Sequence, residues 1–412
     1  MRQSIAAARL AGATPLAKRP HSYHRCLWRN RRSPASPSRE ILVVRRRVCF
    51  KEHRVKLGVD ITWMVGNYRG MGRFARQLVA PIGESVLGFA PGGVSTDEWP
   101  CVSQGRRFFP WWEQVELPRL CREHKPDYLL CPYNTGPLRA TGNTPLIAVI
   151  YDLIYMQPWS VLPPARSLYQ TAGRVYRRHV VPRLARRADV VLTISRFTQR
   201  ELVETFGLNE ADVHVIPCMI SDDWFDAPVS AAARRPYLFT VAGEVPSKNV
   251  DRLLQAFAIA RPALGDDATL RIAGIKSEHH AHFLGRAAAL GLAGAVELLG
   301  YISRDELREQ YRHAHAFIFA SLFEGFGIPL LEAMASGTPV ACSNTTSMPE
   351  VVGDCGLQFD PFSVDDMAEQ IRRVWNDGAR FDVAIRDGVA RARTFSESAV
   401  RPLIQDFWAR LS

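Results

Sequence analysis

Short apolar runs alternate with helix-like segments in each half of this chain. In the first half the runs are 55–61, 128–131, 146–151, 190–194 and 213–216. In the second half they are 237–242, 269–273, 296–299, 316–320 and 339–341, and amphipathic stretches separate them at about 249–263, 279–290, 304–313, 329–336 and 364–376. This alternation is typical of parallel sheets covered by helices, and 412 residues suffice for two such cores. It predicts an α/β fold with two Rossmann-like domains, whose strand ends face each other across a cleft where ligands bind.

The domain boundaries follow from composition and charge. Residues 1–54 hold 14 Lys or Arg and two acids, a net of +12, whereas the rest of the chain holds 38 basic and 39 acidic residues, a net of −1. We expect a disordered basic tail over 1–54, one domain over 55–230 and a second domain over 231–395. A linker is predicted at 227–236, and a final amphipathic stretch, 396–412, is expected to pack back on the first domain.

The function of the tail stays open between three interpretations. Its arginines could bind anionic lipid or nucleic acid, or they could belong to a transit peptide. The simplest interpretation is a solvated extension, or a translation start placed too far upstream. No apolar run reaches the roughly 18 residues that span a bilayer. The eight cysteines form no C-x-x-C pair, which indicates reduced core thiols in a cytosolic protein.

The most informative segment is 319–332, in which an apolar run ends in a glycine-rich turn and Pro329 opens a helix. Gly325 and Gly327 allow backbone amides to approach an anion at the helix start. Glu324 and Glu332 could both face the cleft and accept hydrogen bonds from vicinal hydroxyls. Alternatively, Glu324 only caps the turn and Glu332 is a solvated helix residue.

Two other glycine- or lysine-bearing turns follow strand ends. In 241–249, Lys248 stands where an ammonium could neutralise a diphosphate, although a surface lysine is the plainer interpretation. In 63–73, Gly70 and Gly72 lie in a predicted loop before a helix that we expect from about Arg73. This stretch also fits the G-x-G-x-x-A dinucleotide fingerprint, but about eight residues separate it from the strand end. D-x-D, P-loop, H-E-x-x-H and G-x-S-x-G patterns are absent from the sequence.

Together these segments resemble the retaining GT-B glycosyltransferases that include bacterial mannosyl- and glucosyltransferases of surface polysaccharide synthesis. The resemblance covers about 55–395, and its most specific element is the E-x7-E pattern from Glu324 to Glu332. It implies a GT-B fold in which Glu324 contacts the donor sugar and Glu332 contacts the donor ribose. It also implies that 55–230 is the acceptor-side domain and 231–395 the nucleotide-sugar domain. Lys248 and the amides around Gly325, Phe326 and Gly327 would hold the diphosphate. Gly70 and Gly72 would let the first loop approach the donor, and Ser195 would add a hydrogen bond across the cleft.

Two departures from the family pattern affect these roles. Ser247 stands where the family often has Arg, so that one positive charge is lost or another arginine, such as Arg73, replaces it. Tyr151 stands where the family often has His, and it could fill that space on the acceptor side. Asp152 after it is expected to contact the acceptor.

The chemistry that the resemblance implies is metal-free and needs no cofactor. The departing nucleoside diphosphate must be stabilised, the sugar carbon becomes oxocarbenium-like, and the departing phosphate takes the acceptor proton on the same face. The expected partners are a nucleotide-sugar donor, with GDP-mannose the best guess and UDP-glucose open, and a glycan or lipid-linked saccharide acceptor. A nucleotide-dependent oxidoreductase and a non-catalytic binding protein of GT-B shape are the alternatives.

The expected location is cytoplasmic, with possible peripheral contact at the inner face of an anionic membrane and with no nucleic-acid partner. Six arginines in one helical segment are the basis for the membrane contact. The alternative is a solvated basic face. These arginines are Arg174, Arg177, Arg178, Arg183, Arg186 and Arg187.

Overall fold

The first half of the chain forms one parallel sheet with helices on it. The computed structural model describes residues 55–66, 70–164, 168–225, 234–376 and 378–411. The predictions for the tail, 1–54, and for most of the linker fall outside these residues. The sheet has seven strands in the order β3-β2-β1-β4-β5-β6-β7, and all neighbouring pairs are parallel. The strands are β1 (Leu57–Asp60), β2 (Val86–Ala90), β3 (Cys101–Ser103), β4 (Tyr128–Cys131), β5 (Leu146–Val149), β6 (Val190–Thr193) and β7 (Val213–Val215).

The helices of this half lie between the strands. A π-helical turn, Trp112–Glu116, joins the second and third. Ser195 caps the fifth helix, which ends at Gly207 in a left-handed conformation, as the sequence predicted. The helices are α1 (Gly70–Val79), α2 (Phe109–Trp111), α3 (Leu117–His124), α4 (Leu168–Arg187) and α5 (Arg196–Phe206).

The second half forms a six-stranded parallel sheet in the order β10-β9-β8-β11-β12-β13. Its strands are β8 (Arg235–Val241), β9 (Thr269–Ala273), β10 (Val296–Gly300), β11 (Ala314–Phe319), β12 (Val340–Ser343) and β13 (Leu357–Phe359). Its helices are α6 (Val250–Ala260), α7 (His280–Ala289), α8 (Arg304–His313), α9 (Ile328–Ala335), α10 (Met348–Val352), α11 (Val364–Asn376), α12 (Gly378–Arg393) and α13 (Glu397–Leu411). The two sheets confirm the predicted fold class.

The strand order of each sheet reverses at one place, between β1 and β4 in the first sheet and between β8 and β11 in the second. Loops that leave neighbouring parallel strands on either side of such a reversal diverge to opposite faces and leave a crevice. The turns that follow β8 and β11 therefore meet at a crevice, and these turns contain Lys248 and Glu324.

The last helix, α13, lies on the first half of the chain. The indole of Trp408 donates to the carbonyl of Leu78 at 2.7 Å, and the Tyr128 hydroxyl donates to the carbonyl of Leu411 at 3.1 Å. Just before α13, Ile220 pairs with Ser396 in an isolated parallel bridge. These contacts tie the end of the chain to the first half.

The sequence analysis did not predict three of the strands or helices α3, α10 and α12, and one helix begins earlier than expected. β2, β3 and β13 were not predicted, because β2 is interrupted by Gly88 and the other two are three-residue edge strands. Gly88 is needed there because a Cβ would lie 2.7 Å from the Ile61 side chain. Helix α1 begins at Gly70 rather than near Arg73, so Gly70 and Gly72 belong to its first turn.

The cysteines in the described residues are free, and four of them are buried, as expected for core thiols. In that part of the chain, no helix is both long and apolar enough to cross a membrane.

Candidate active site between the two sheets

Lys248 and Glu324 meet at the crevice of the second sheet. Lys248 ends a short 3-10 turn after β8, and Glu324 lies in the turn after β11. The Lys248 Nζ is 2.6 Å from Glu324 Oε1, and the two side chains are 28% and 17% exposed. The strand ends of β8 and β11 thus bring together two predicted site residues that are 76 positions apart. Both side chains are partly exposed, so an anionic group of a ligand could replace Glu324 beside Lys248, and a hydrogen-bond donor of the ligand could replace Lys248 beside Glu324.

The turn that carries Glu324 is held by the segment after β12. Thr346 Oγ1 accepts from the amide of Glu324 at 3.2 Å. Ser347 Oγ lies 3.0 Å from the Glu324 carbonyl and 2.8 Å from the Phe326 carbonyl. Sequence reasoning missed these hydroxyls, although the run of Ser and Thr after the strand end at 343–347 was a visible signal.

Glu332 lies one helical turn inside α9 and is buried, with 8% of its surface exposed. The Tyr311 hydroxyl donates to its Oε2 at 3.2 Å. Burial raises the pKa of Glu332 to about 7, against the opposing effects of Arg73, of the Tyr311 hydrogen bond and of Arg304. Glu332 is therefore neither the solvated helix residue of the alternative interpretation nor a fully open cleft residue.

Arg73 acts on Glu332 from the first half of the chain, since it belongs to α1. This is the arginine that the sequence suggested as a replacement for the charge missing at Ser247. The Ser247 side chain is buried at the edge of the crevice. The positive charges around a bound anion would thus come from both halves.

The glycines of the turn before α9 have two different roles. A Cβ on Gly325 would lie 2.4 Å from the carbonyl oxygen of Tyr151 and 3.1 Å from Asp152 Cβ, so this glycine admits the backbone of the first half. Gly327 has φ +113°, which favours glycine, and it is the N-cap of α9. Phe326 is buried edge-to-face against Phe395 at 5.6 Å. Its ring faces the core, so only its backbone is available to a donor.

Gly70 and Gly72 are in the first turn of α1, where Gly70 is exposed and Gly72 is buried. A Cβ on Gly70 would meet no atom within 4 Å. Gly70 therefore leaves open space at a helix start that lies beside the cleft, where Met71 lines the cavity described below.

Tyr151 supports α1. Its hydroxyl donates to the carbonyl of Met71 at 3.1 Å, and its amide donates to Asn134 Oδ1 at 2.6 Å. Its buried ring contacts Phe74 edge-to-face at 5.5 Å. These contacts position the start of α1, and a contact of Tyr151 with the acceptor stays a prediction.

Ser195 makes local hydrogen bonds at the start of α5. Its buried Oγ accepts from the amide of Thr198 at 3.1 Å and donates to Thr198 Oγ1 at 3.0 Å. Ser195 is therefore a helix cap, and its hydrogen bond across the cleft stays a prediction.

A cavity of about 320 Å³ opens beside the Lys248–Glu324 pair. Residues from both halves line it, among them Asp152, Arg177 and Ser247. Burial is the main cause that raises the pKa of Asp152, and the charge of Glu324 adds to it. With the opposing effects of Arg177 and Lys248 the pKa is about 6. An acceptor hydroxyl in this cavity would meet a carboxyl group that titrates close to neutral pH.

The arginines of α4 mostly hold loops in place. Arg174 donates to the carbonyls of Tyr155, Gln157 and Leu162, and Arg178 donates to those of Tyr155, Met156 and Gln157. Arg186 binds the carbonyl of Phe206 and Arg187 that of Pro137, whereas the bonds of Arg183 to His179 and of Arg186 to Pro182 lie within α4 itself. Arg174, Arg178 and Arg187 therefore have a structural role that the sequence did not predict.

Two family models match the chain one after the other. The model for Glycosyltransferase Family 4 matches residues 51–224, and the model for Glycosyl transferases group 1 matches residues 222–388. The matches meet where the first sheet ends and the second begins.

Several curated relatives with similar sequences are named mannosyltransferases. O-antigen chain mannosyltransferase B of Escherichia coli is 32% identical over 221 residues, which are 51% of this chain and 57% of that protein. The MMP alpha-(1->4)-mannosyltransferase of Mycolicibacterium hassiacum is 29% identical over 275 residues, which are 61% of this chain and 64% of that protein. The matched region thus spans less than two thirds of the length of either relative.

Solved structures show the same fold. Sucrose-phosphate synthase from Thermosynechococcus elongatus superposes with a TM-score of 0.65 at 19% identity, covering 86% of this chain and 98% of that one. Anabaena HepE in complex with UDP and glucose superposes with a TM-score of 0.66 at 17% identity, covering 86% and 99%. With two consecutive family matches and two facing parallel sheets, the chain belongs to the GT-B glycosyltransferases of the family 4 type.

Proposed function

We propose that the chain transfers a hexose from a nucleotide-sugar donor to a glycan or lipid-linked saccharide in surface polysaccharide synthesis. The observation that carries the proposal is the contact between Lys248 and Glu324 at the crevice of the second sheet. A cation beside a carboxylate suits a donor that carries an anionic diphosphate next to a hydroxylated sugar. Glu332 is buried in the first turns of α9, the helix that follows the Glu324 turn, and it suits the ribose of that donor.

Lys248 would stabilise the negative charge that develops on the departing diphosphate, together with backbone amides at the start of α9. In this proposal the ammonium exchanges Glu324 for the diphosphate when the donor binds, and Glu324 then accepts hydrogen bonds from the sugar. This arrangement needs no metal for charge stabilisation. Activity that persists in excess EDTA would support that part of the proposal.

We propose retention of the anomeric configuration, with the acceptor hydroxyl attacking from the face that the phosphate leaves. The departing phosphate oxygen takes the proton, the glycosidic bond forms, and the bond from the sugar carbon to the phosphate oxygen breaks. No covalent nucleophile is assigned. Proton NMR of the first product formed distinguishes retention from inversion.

GDP-mannose is the proposed donor, because the curated relatives are named mannosyltransferases. UDP-glucose is the second candidate, because a structure with the same fold contains UDP and glucose. A competition experiment with equal concentrations of both donors measures the preference directly.

We place the acceptor in the cavity beside the pair, where Asp152 and Arg177 offer a carboxyl and a cation. A lipid-linked acceptor would give the protein a peripheral, cytoplasmic-face position at a membrane. Flotation with anionic vesicles tests that position, and Arg183→Glu with Arg186→Glu tests whether α4 contributes.

The oxidoreductase alternative is not favoured by the geometry. Its fingerprint requires a glycine turn directly after β1, but β1 ends at Asp60 and the glycines begin at Gly70 within α1.

Lys248→Ala is the variant that tests the proposed site, with Lys56→Ala as the matched control. Lys56 is exposed and directly precedes β1, at the end of the strand away from the cleft. Its ammonium donates to the carbonyl of His124. Lys248→Ala should lower kcat about 100-fold, as removal of a preorganised electrostatic group does. Lys56→Ala should keep the kcat of the unmodified protein.

Equal kcat values for the two lysine variants, at equal folded fraction by circular dichroism, would remove Lys248 from the proposed site. Glu324→Gln keeps the shape of the side chain and should also lower kcat more than it raises KM.

A further inference from the structure

One acidic side chain of the second half caps a helix of the first half. Glu350 lies on α10, and its Oε1 and Oε2 accept from the amides of Arg196 and Phe197 at 2.8 and 2.9 Å. These are the first two amides of α5, which a helix leaves without internal partners. Ser195 satisfies the next free amide, that of Thr198. The start of α5 is thus capped jointly by its own serine and by a carboxylate from the other sheet.

This cap is a contact that can hold the two halves together and can also break when they separate. The bonds are charge-assisted, and the carboxylate faces the positive end of the helix. Glu350 is half-buried, so water can solvate its carboxylate when the halves separate. Next to it, the Phe197 ring contacts Phe323 of the turn after β11 edge-to-face at 6.1 Å, which adds an apolar contact between the same two halves.

The residues just before Glu350 hold the turn that carries Glu324. Thr345 Oγ1 donates to the Leu322 carbonyl at 3.2 Å, Thr346 accepts from the Glu324 amide, and Ser347 donates to the Glu324 carbonyl. Arg391 fixes the other end of α10 through the carbonyls of Glu350 and Val351, at 2.6 and 3.1 Å. One short segment, 345–351, therefore contacts α5 of the first half and the Glu324 turn of the second.

We infer that Glu350 is a positioning residue that couples the orientation of the two halves to the placement of Glu324. When Glu350 binds α5, segment 345–347 presents the Glu324 turn to the cavity that both halves line. When that contact breaks, the turn keeps the contact of Phe323 with Phe197 and the close approach of Gly325 to Tyr151, but segment 345–347 no longer fixes its position relative to α5. This role rests on the proposed glycosyl transfer, because it acts through Glu324.

Glu350→Ala and Glu350→Gln test the coupling, with Glu306→Ala as the matched control. Glu306 also caps a helix, α8, by accepting from the Ser303 amide at 2.8 Å, but it does so within its own half. The measurements are hydrogen exchange of peptides that cover 196–199 and 322–327, together with kcat and the affinity for the donor's nucleoside diphosphate.

Glu350→Ala should speed exchange in both peptides and lower kcat about 3- to 30-fold, the range that corresponds to loss of a helix cap. Nucleoside diphosphate affinity should fall less than kcat does, because the proposed ribose contact with Glu332 belongs to the second half and the first half adds the charge of Arg73. Glu350→Gln should be intermediate, since its amide oxygen still accepts one bond. Glu306→Ala should speed exchange only near 303–307.

Faster exchange confined to 196–199, with kcat unchanged, would show that Glu350 is only a cap and would overturn the coupling. If Glu350→Ala does not fold, Glu350→Gln decides by the same two peptides. If the unmodified protein transfers no sugar, the proposed function fails, and exchange at 322–327 still decides whether Glu350 positions the Glu324 turn.

Discussion

Glu332→Gln should make the protein more stable at alkaline pH while weakening nucleotide binding. The folded protein raises the pKa of this carboxyl from 4.5 to about 7, mainly by burial. A raised pKa means that the folded state binds the proton more tightly than the unfolded chain does, so stability is lost as pH rises from about 4.5 towards 7. The difference corresponds to roughly 3 kcal/mol at ~1.4 kcal/mol per pH unit.

The expected gain is smaller than that upper limit. The Tyr311 hydroxyl can still donate to the Gln oxygen, but the new NH₂ group brings donors that need partners, which offsets about 1–2 kcal/mol. We therefore expect Glu332→Gln to be about 1–2 kcal/mol more stable than the unmodified protein at pH 8. At pH 4.5, where the folded state is protonated and the unfolded state is half protonated, most of the linkage contribution is absent. The cost of the new NH₂ donors then dominates, and Glu332→Gln should be about 1 kcal/mol less stable than the unmodified protein.

Urea unfolding followed by circular dichroism at pH 4.5 and pH 8 measures both values. Glu306→Gln is the control, because hydrogen bonds from the Ser303 amide and hydroxyl lower the pKa of Glu306. Its pH dependence should have the opposite sign. Nucleoside diphosphate affinity, measured by calorimetry, should fall for Glu332→Gln and stay constant for Glu306→Gln. A Glu332→Gln protein that is less stable than the unmodified one at pH 8 would refute the argument that this carboxylate is held at a cost in stability.

Three further variants test the supports of the site. Arg174→Ala leaves the Leu162 carbonyl without its arginine donor and removes one of the two arginine donors to the carbonyls of Tyr155 and Gln157, so it should lower Tm by a few degrees. An unchanged Tm with weaker vesicle binding would instead favour a membrane role for α4. Gly325→Ala places a methyl group 2.4 Å from the Tyr151 carbonyl oxygen, so kcat should fall at least ~10-fold while the circular dichroism spectrum stays that of a folded protein. Unchanged kcat would show that the two halves do not approach here during turnover. If ionised Asp152 binds the acceptor, kcat/KM for the acceptor should rise as pH increases through about 6, and Asp152→Asn should abolish that rise. The same pH profile in both proteins would remove Asp152 from the proposed acceptor site.

The positions of Lys248 and Glu324 could be predicted because both follow strand ends. Apolar runs define the strands, and parallel neighbours present their carboxyl ends at one edge, so chain order alone brings these turns close together. The helix starts at Ser195 and Pro329 were equally visible, because capping and first-turn preferences act within a few residues.

Side-chain direction could not be predicted in the same way. The motif around Tyr151 does not reveal whether its ring faces a ligand or α1, since either choice satisfies the same backbone. Glu350 reaches amides 154 and 153 positions away, and nothing local in the sequence signals this contact. The pKa of Glu332 depends on burial by both halves, which only the assembled fold supplies.

The central claim is tested most directly by mass spectrometry of saccharide acceptors incubated with the protein and GDP-mannose or UDP-glucose. Mannose-terminated oligosaccharides and lipid-linked saccharides serve as acceptors, and Lys248→Ala serves as the comparison. The account predicts a product heavier by one hexose, with release of the matching nucleoside diphosphate, and about 100-fold less of both with Lys248→Ala. No hexose added from either donor to any of these acceptors, or equal product from Lys248→Ala, would contradict it.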